Sequence, residues 1–565
     1  MQINCTHCQT AFRIRPEDLE FFNKVSPIVG AKKFELTAPT HCPDCRQQRR
    51  LAWRNERSLH WRNCDATGDR ILSVFTEKAP YKVYKNEYWW SDKWDAKSYG
   101  RDFDFSRPFF EQFEALLKEV PQLALSKVGN ENSEYVNQAG WNKNCYLVFE
   151  GDNNENCSYG VNIYESKSCL DQFMCTQNEL CYDCLNVSKS YNVKGSINSD
   201  NCSDSAFLKD CIGSRNCFAS VNLRNKEFMF FNEQLSQEEY EKKMSEIDLS
   251  SYEQYEKYRQ KFLDHSKLYP VKFFNGYQNE DSTGNYLINT QRCHQSFEVR
   301  NSQDCAYLGY ARNCNNVQDM NVWGGHGEGV AFSYEVHEVG VGIRNALFVD
   351  QAWEGVDNVL YSKLCANKVS NLFGCVGLQK SSYCILNKQY SPEEYAVLVE
   401  KIITHMKKTG EWGEFFPASM SPFGYNETIA QEYYPLSKEE VLAKGWKWTD
   451  EDSEVPQVDR IIPAAQLPDK TEDIPDDILN WAIVCEVSGK PFRINKPELT
   501  FYREQGLPIP RKSPEERHKQ KITLKNPRKL WDRQCGNCTI HIQTSYSPDR
   551  SEKVLCEDCF HQAVE

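Results

Sequence analysis

The sequence predicts a mixed, mainly β protein: a duplicated, Cys/Asn-rich core like a parallel β-helix, flanked at its two ends by related cysteine-knuckle modules and joined by short helices. Three observations predict it. The two ends of the chain align with each other, the middle aligns with itself, and inside the middle short Asn-Cys and Ser-Cys tokens recur at steps of mostly 10–12 residues. Self-similarity of this kind marks a repeat architecture. A chain of 565 residues also exceeds what one core usually supports, about 250–300 residues.

The terminal modules come first. Cys5 leads into AFRIRPEDLEFF, and 480 positions later Cys485 leads into PFRINKPELTFY. RNERSLHWRNC, ending at Cys64, aligns with KNPRKLWDRQC, ending at Cys535, at an offset of 471 that also carries Val83 onto Val554. Cys5-x2-Cys8 and Cys42-x2-Cys45 form a complete four-thiolate set, while their C-terminal counterparts are Cys485, Ser488, Ser513 and Glu516. Conversely, Cys535-x2-Cys538 and Cys556-x2-Cys559 form a second complete set, whose N-terminal counterparts are Cys64, Thr67, Lys85 and Tyr88. The pattern predicts two zinc-ribbon or treble-clef-like modules from one two-site ancestor, each keeping the site that the other lost. Four thiolates close a tetrahedral sphere, so both Zn2+ ions are expected to be structural, and no catalytic residue is assigned. Such an ion can hold together a module too small for its own core. Cys64 and Cys485 are expected to be packed remnants.

After Cys45 the run RQQRRLAWRNER suits a helix, with Arg46, Arg50, Arg54 and Arg57 spaced to share one face. The offset of 471 places Arg517, Lys521, Lys525 and Arg528 at the same positions. A cationic row kept in both copies predicts a partner. Nucleic-acid phosphates are one candidate, with Trp53, Trp61 and Trp531 near enough to stack on bases. Docking onto a protein or onto the chain's own acidic middle is another, and a solvated face is the third. Formal charge leaves these open: residues 1–100 and 481–565 carry +5 and +4, so the remainder carries −22 of a total of −13.

In the middle, YLVFEGDNNENCSYG after Cys145 parallels HQSFEVRNSQDCAYL after Cys293, and the copies close alike from Phe218 and Phe373. Small residues beside Asn or Ser at short regular steps suit β-helix coils, with the step either a whole coil or half of one of about 22 residues. These cysteines lack paired ligand spacing, apart from Cys181-x2-Cys184, and are expected to be small buried hydrophobes. The second copy alone carries His326, Glu328, Glu335, His337 and Glu338 together, the one cluster that would suit a carbohydrate-cleaving β-helix.

The expected divisions are a module over 1–100, a linking helix within 101–134, repeats with trailing helices over 135–265 and 266–410, an aromatic-rich segment over 411–448, an acidic Pro-rich tether over 449–478 and a module over 479–565. Ser236, Ser391 and Ser437 are expected to cap helices with acidic first turns.

The segments THCPDCRQQRRLAWRNERSLHWRNCD, WWSDKWDAKSYGRDFDFSRPFFEQF and SPFGYNETIAQEYYPLSKEE resemble an uncharacterised Cys-rich zinc-ribbon family of candidate-phyla-radiation (Patescibacteria) bacteria. The likeness covers nearly the whole chain. It departs at Cys64/Thr67 and Lys85/Tyr88, where such proteins carry more complete CxxC pairs. The resemblance implies a bacterial lineage and no particular activity. The start of the chain lacks a signal-peptide pattern and no run reaches membrane-span length, so a reducing cytoplasm is expected, with all 25 cysteines as thiols or ligands. The expected function is a non-enzymatic zinc protein that binds RNA, DNA or a ribonucleoprotein through its basic helices. The alternatives are a protein–protein scaffold, an acidic solenoid that mimics nucleic acid, and a β-helix carbohydrate enzyme. No small-molecule cofactor is expected.

Overall fold

Parallel strand pairs in the first repeat of the computed structural model, which describes residues 1–321, 329–450 and 458–564, advance by 12 residues: Tyr146 pairs with Ser158, Ser158 with Leu170 and Leu170 with Tyr182. The step seen in the sequence is therefore a whole coil. Within it every third residue is left-handed, as at Asn144, Leu147, Glu150, Asn153 and Asn156, with φ between 51° and 57°. Four such corners divide each coil into four short sides. The residue after each corner points inward, giving Cys145, Val148, Gly151, Asn154 and Cys157 along one coil. A left-handed L-residue costs about 1–2 kcal/mol, least for Asn and Asp, which explains the Asn-rich corners.

A tube this narrow favours small residues inside, with Ile163, Leu208 and Leu223 as larger exceptions. Cys145 Sγ sits 3.4 Å from the carbonyl of Lys143 and 3.5 Å from that of Asn154, and Cys157, Cys169 and Cys181 repeat the pattern one coil at a time. Ser166 and Ser190 take the same place with Oγ donating to the carbonyl two residues earlier. The inner side chain thus both fills the tube and satisfies its backbone. Cys181 and Cys184 belong to these ladders, and all 25 cysteines are unpaired.

The second repeat is built alike. Gly284 pairs with Ser296, 12 residues on, but from Val330 to Ile343, Val356 and Val369 the coil lengthens to 13. Both tubes begin with an outermost strand, Lys127–Val128 and Gly276–Glu280, and end in an antiparallel hairpin. The expected capped helices follow, Gln237–Ser245 from Ser236 and Pro392–Thr409 from Ser391, and each cap is closed into a capping box by Glu239 or Glu394. The helical stretch after the first repeat is broken in two, with a second helix at Tyr252–Ser266. Ser437 caps Lys438–Ala443 as expected. The linking helix is Phe109–Glu119, and its first two N–H groups donate to the carboxylate of Glu411 at 2.9 and 2.7 Å.

Each terminal module straddles both tubes. Phe21, Phe22 and Val25 pack against Tyr334, Leu347 and Phe348 of the second repeat, while Val83–Tyr84 pairs with Gln122–Leu123, which leads into the first. In the other copy Leu499, Phe501 and Tyr502 pack against Phe173, Tyr182 and Leu185 of the first repeat, while Val554–Leu555 pairs with Val271–Lys272, which leads into the second. The modules therefore cross, related by an approximate twofold. The acidic tether is shorter than its composition suggested. Arg460–Pro463 pairs with Trp481–Val484, and Ile462, Leu467, Ile474 and Ile478 are buried, so apolar residues spaced through the acidic run anchor it to the C-terminal module.

Candidate metal centres and the charged seam

The N-terminal centre is assembled from a knuckle and a helix start. Cys5 N donates to Thr10 O at 3.0 Å and Gln9 N to Cys5 O at 3.0 Å, a tight turn that brings Cys8 back beside Cys5. Cys42 is the N-cap of the helix Pro43–Leu51, so Cys45 falls in its first turn. The C-terminal centre repeats this with Cys535 N donating to Ile540 O, Thr539 N to Cys535 O, and Cys556 just before the helix Glu557–Val564. In each set the four Sγ atoms lie within 4.8 Å of one another, and Cys8–Cys42 and Cys538–Cys556 are 3.7 Å apart. Around a tetrahedral ion with metal–sulfur bonds of about 2.3 Å, such as zinc, sulfurs stand about 3.8 Å apart. Crowding splits the thiol acidities: a hydrogen bond from Cys45 brings Cys42 down to about 5, while Cys45 itself is driven up. Both donor sets are compatible with a metal ion that replaces these shared protons.

The degenerate copies keep the knuckle without the ligands. Cys64 still accepts from Lys85 N at 3.3 Å, the counterpart of Cys556 N on Cys535 Sγ at 3.3 Å. Lys85 Nζ instead pairs with Asp69 at 2.5 Å. Cys485 accepts from Ser513 N at 3.3 Å, and Ser513, at the position of a ligand, caps the helix Pro514–Leu524. Both remnant cysteines are buried, as expected.

The cationic rows do not face solvent, and the expectation that they are offered to nucleic acid is corrected by their placement. Arg46, Arg50, Arg54, Arg517, Lys521 and Lys525 are buried, and Arg57 and Arg528 are half-buried. Nor is each row a single helix face. The helices end at Leu51 and Leu524, so Arg54, Arg57, Lys525 and Arg528 reach their partners from the segments that follow. Arg46 Nε meets Asp319 at 2.8 Å, and Arg517 Nε meets Asp171 at 2.9 Å. Arg50 contacts Asp319 and Glu335 at 3.3 and 3.4 Å, and Lys521 contacts Asp183 at 2.8 Å. Arg54 pairs with Glu56 and Glu150, and Lys525 and Arg528 both pair with Glu298. Arg57 pairs with Glu432. The rows dock the modules onto the acidic middle of the same chain.

The partners follow the same approximate twofold. The offset of 148 that carries Cys145 onto Cys293 carries Glu150 onto Glu298, Tyr159 onto Tyr307 and Asp171 onto Asp319. Tyr159 donates to Glu498 at 2.6 Å and Tyr307 to Asp18 at 2.9 Å, with Arg517 and Arg46 over their rings. None of these partners was singled out in the sequence, although the two offsets together contain the pairing. Burial would raise Glu298, but Arg528 and Lys525 overrule it and bring it down to about 2. Lys525 is brought down to about 8, because burial outweighs Glu298 there. At Glu150 burial outweighs Arg54, with Glu56 and Glu338 adding repulsion, and the carboxyl is pushed up to about 8.

The predicted carboxylate–histidine cluster is divided. His326 and Glu328 lie outside the described residues. Glu335 is buried against Arg49 at 2.8 Å, His337 contacts Asp350, which also holds Lys363, and Glu338 accepts from Gln351 at 3.0 Å. Glu335 thus belongs to the seam with the N-terminal module, Glu338 also accepts from Gln138 of the first tube at 3.2 Å, and His337 packs within the second tube. No helix among the described residues is long and apolar enough to cross a membrane. In comparisons with family models, curated proteins and solved structures, no match to the chain is found.

Proposed function

We propose that the chain is a non-enzymatic scaffold of the bacterial cytoplasm, in which two structural zinc ions hold the modules that clamp a pair of β-solenoids, and that its partner is a protein. One observation carries this reading: the cationic groups that would have gripped phosphates are consumed by the chain's own carboxylates. Backbone and apolar surface at the open first coils is available for binding. There Val128, Trp141 and Tyr277 are 56–57% exposed, beside outermost strands with no further strand among the described residues. Such edges favour partners that add a strand.

A second reading, contact with RNA, DNA or a ribonucleoprotein, draws on the ring of His7, which stacks between His41 and Trp446 beside the N-terminal centre with Lys444 over the Trp446 ring. Affinity purification of the metal-loaded chain, with and without nuclease, separates the two. The scaffold reading expects a protein partner that survives nuclease and is lost when Tyr277 is changed to Lys. Recovery that depends on nucleic acid would overturn it in favour of the second.

A further inference from the structure

The duplicated tubes meet each other, as through Tyr164 and Tyr310, and at one place beside that contact their charges differ. The offset of 148 places Arg300 and Arg312 of the second repeat where the first has Asp152 and Tyr164. Arg300 and Arg312 are ladder partners on adjacent parallel strands, with their backbones about 4.8 Å apart. Neither guanidinium has an ion pair among the described residues, whereas nearby Arg292 is held by Asp304 at 2.6 Å. The Arg312 guanidinium lies 4.3 Å from the centroid of the Tyr164 ring, and its Nε is buried without a hydrogen bond. The Tyr164 and Tyr310 hydroxyls meet at 2.7 Å beside it. Burial and then the repulsion of Arg312 lower Arg300 from its ordinary value, with Tyr310, Tyr164 and Tyr277 acting the other way. Against burial, Tyr164 and Tyr310 and then the carboxylates of Glu150 and Asp152 raise Arg312, yet neither guanidinium makes an ion pair with a carboxylate among the described residues, and two like charges on neighbouring rungs, half-buried, call for an anion from outside.

We infer that Arg300 and Arg312 form an oxyanion site for a phosphate dianion, free or as a terminal phosphomonoester, with Tyr277 and Tyr310 at its rim. Paired guanidinium forks match tetrahedral oxygens in a way that lysines do not, and a dianion balances both charges where a single carboxylate would leave one uncovered. The site does not rest on the scaffold reading: it uses neither zinc module, and although Tyr277 at its rim lies in the open first coil of the second tube, none of the variants that test the site changes it.

Calorimetric titration of the full metal-loaded chain at low ionic strength tests it, with inorganic phosphate and phenyl phosphate as probes. One saturable site is expected, weakened at least tenfold in Arg300→Gln and unchanged in Arg292→Gln. Arg312→Lys, which keeps the charge and loses the fork, is expected to weaken binding with the melting temperature unmoved. Tighter binding of phenyl phosphate assigns the site to a phosphomonoester, and equal binding assigns it to the free ion. No saturable binding, or equal losses in Arg300→Gln and Arg292→Gln, overturns the inference, the latter because a diffuse potential would then suffice.

Discussion

Glu432 shows how one buried carboxylate ties the fold to pH. Burial would raise it, but Arg57 and His518 overrule burial and bring it down to about 2. Unfolded, it titrates near 4.3, so the stability it contributes is present above that value and is lost as pH falls toward 2. His518 runs in the same direction. Burial, then Arg57, lowers it to about 4, so between about 6.5 and 4 the unfolded chain binds the extra proton and stability falls with pH. Glu150, pushed up to about 8, runs the opposite way between about 4.3 and 8, which is why the whole-protein profile is a poorer test than a difference. The difference in urea stability between the wild type and Glu432→Gln is expected to be on the order of 3 kcal/mol at pH 7 and to shrink steadily below pH 4.5. A difference that stays constant down to pH 3 would refute the assignment of Glu432 as a charged partner.

Among elements, the knuckles were the most legible and the docking helices the least. A four-thiolate cluster is written in local spacing, so the eight cysteines that the structure gathers into two sets could be read directly from two CxxC pairs at each end. The coil was half-legible. A step of 10–12 residues was visible without showing whether it was a whole coil or half of one, and the three-residue rhythm beneath it was hidden because inward positions accept Cys, Ser, Val, Gly and Asn alike. The cationic rows were left open between phosphates and the chain's own acidic middle, because periodicity tells which residues share a face and says nothing of what that face touches. Each centre is expected to act on its own module. Cys8→Ser and Cys538→Ser should each reduce bound zinc from two ions to one per chain by elemental analysis, and the double variant should bind none. Each single variant should raise amide exchange at its own knuckle, around Cys5–Thr10 or Cys535–Ile540, and leave the other unchanged. Retention of two ions in either single variant would remove that cysteine from its set.

At the scale of the whole molecule, the crossing of the modules makes four bodies into one cooperative unit. The C-terminal module holds Asp171 of the first tube through Arg517 and Glu298 of the second through Lys525 and Arg528, so it cannot leave one tube without loosening the other. The N-terminal module does the same through Arg46 on Asp319 and Arg54 on Glu150. Breaking a buried pair costs about 3–5 kcal/mol where it leaves the carboxylate uncompensated, as loss of Arg517 leaves Asp171, and less where a second cation stays, as Arg50 stays on Asp319 when Arg46 is lost. The Arg46–Asp319 and Arg517–Asp171 pairs share no partner, so in a two-state molecule their costs add to within about 0.5 kcal/mol. Arg517→Ala is therefore expected to lower the denaturant midpoint more than Arg46→Ala, with an additive double variant and the slope of the single transition unchanged. A biphasic curve in either single variant, with one module or one tube melting ahead of the rest, would show that the crossed seam does not couple the two halves.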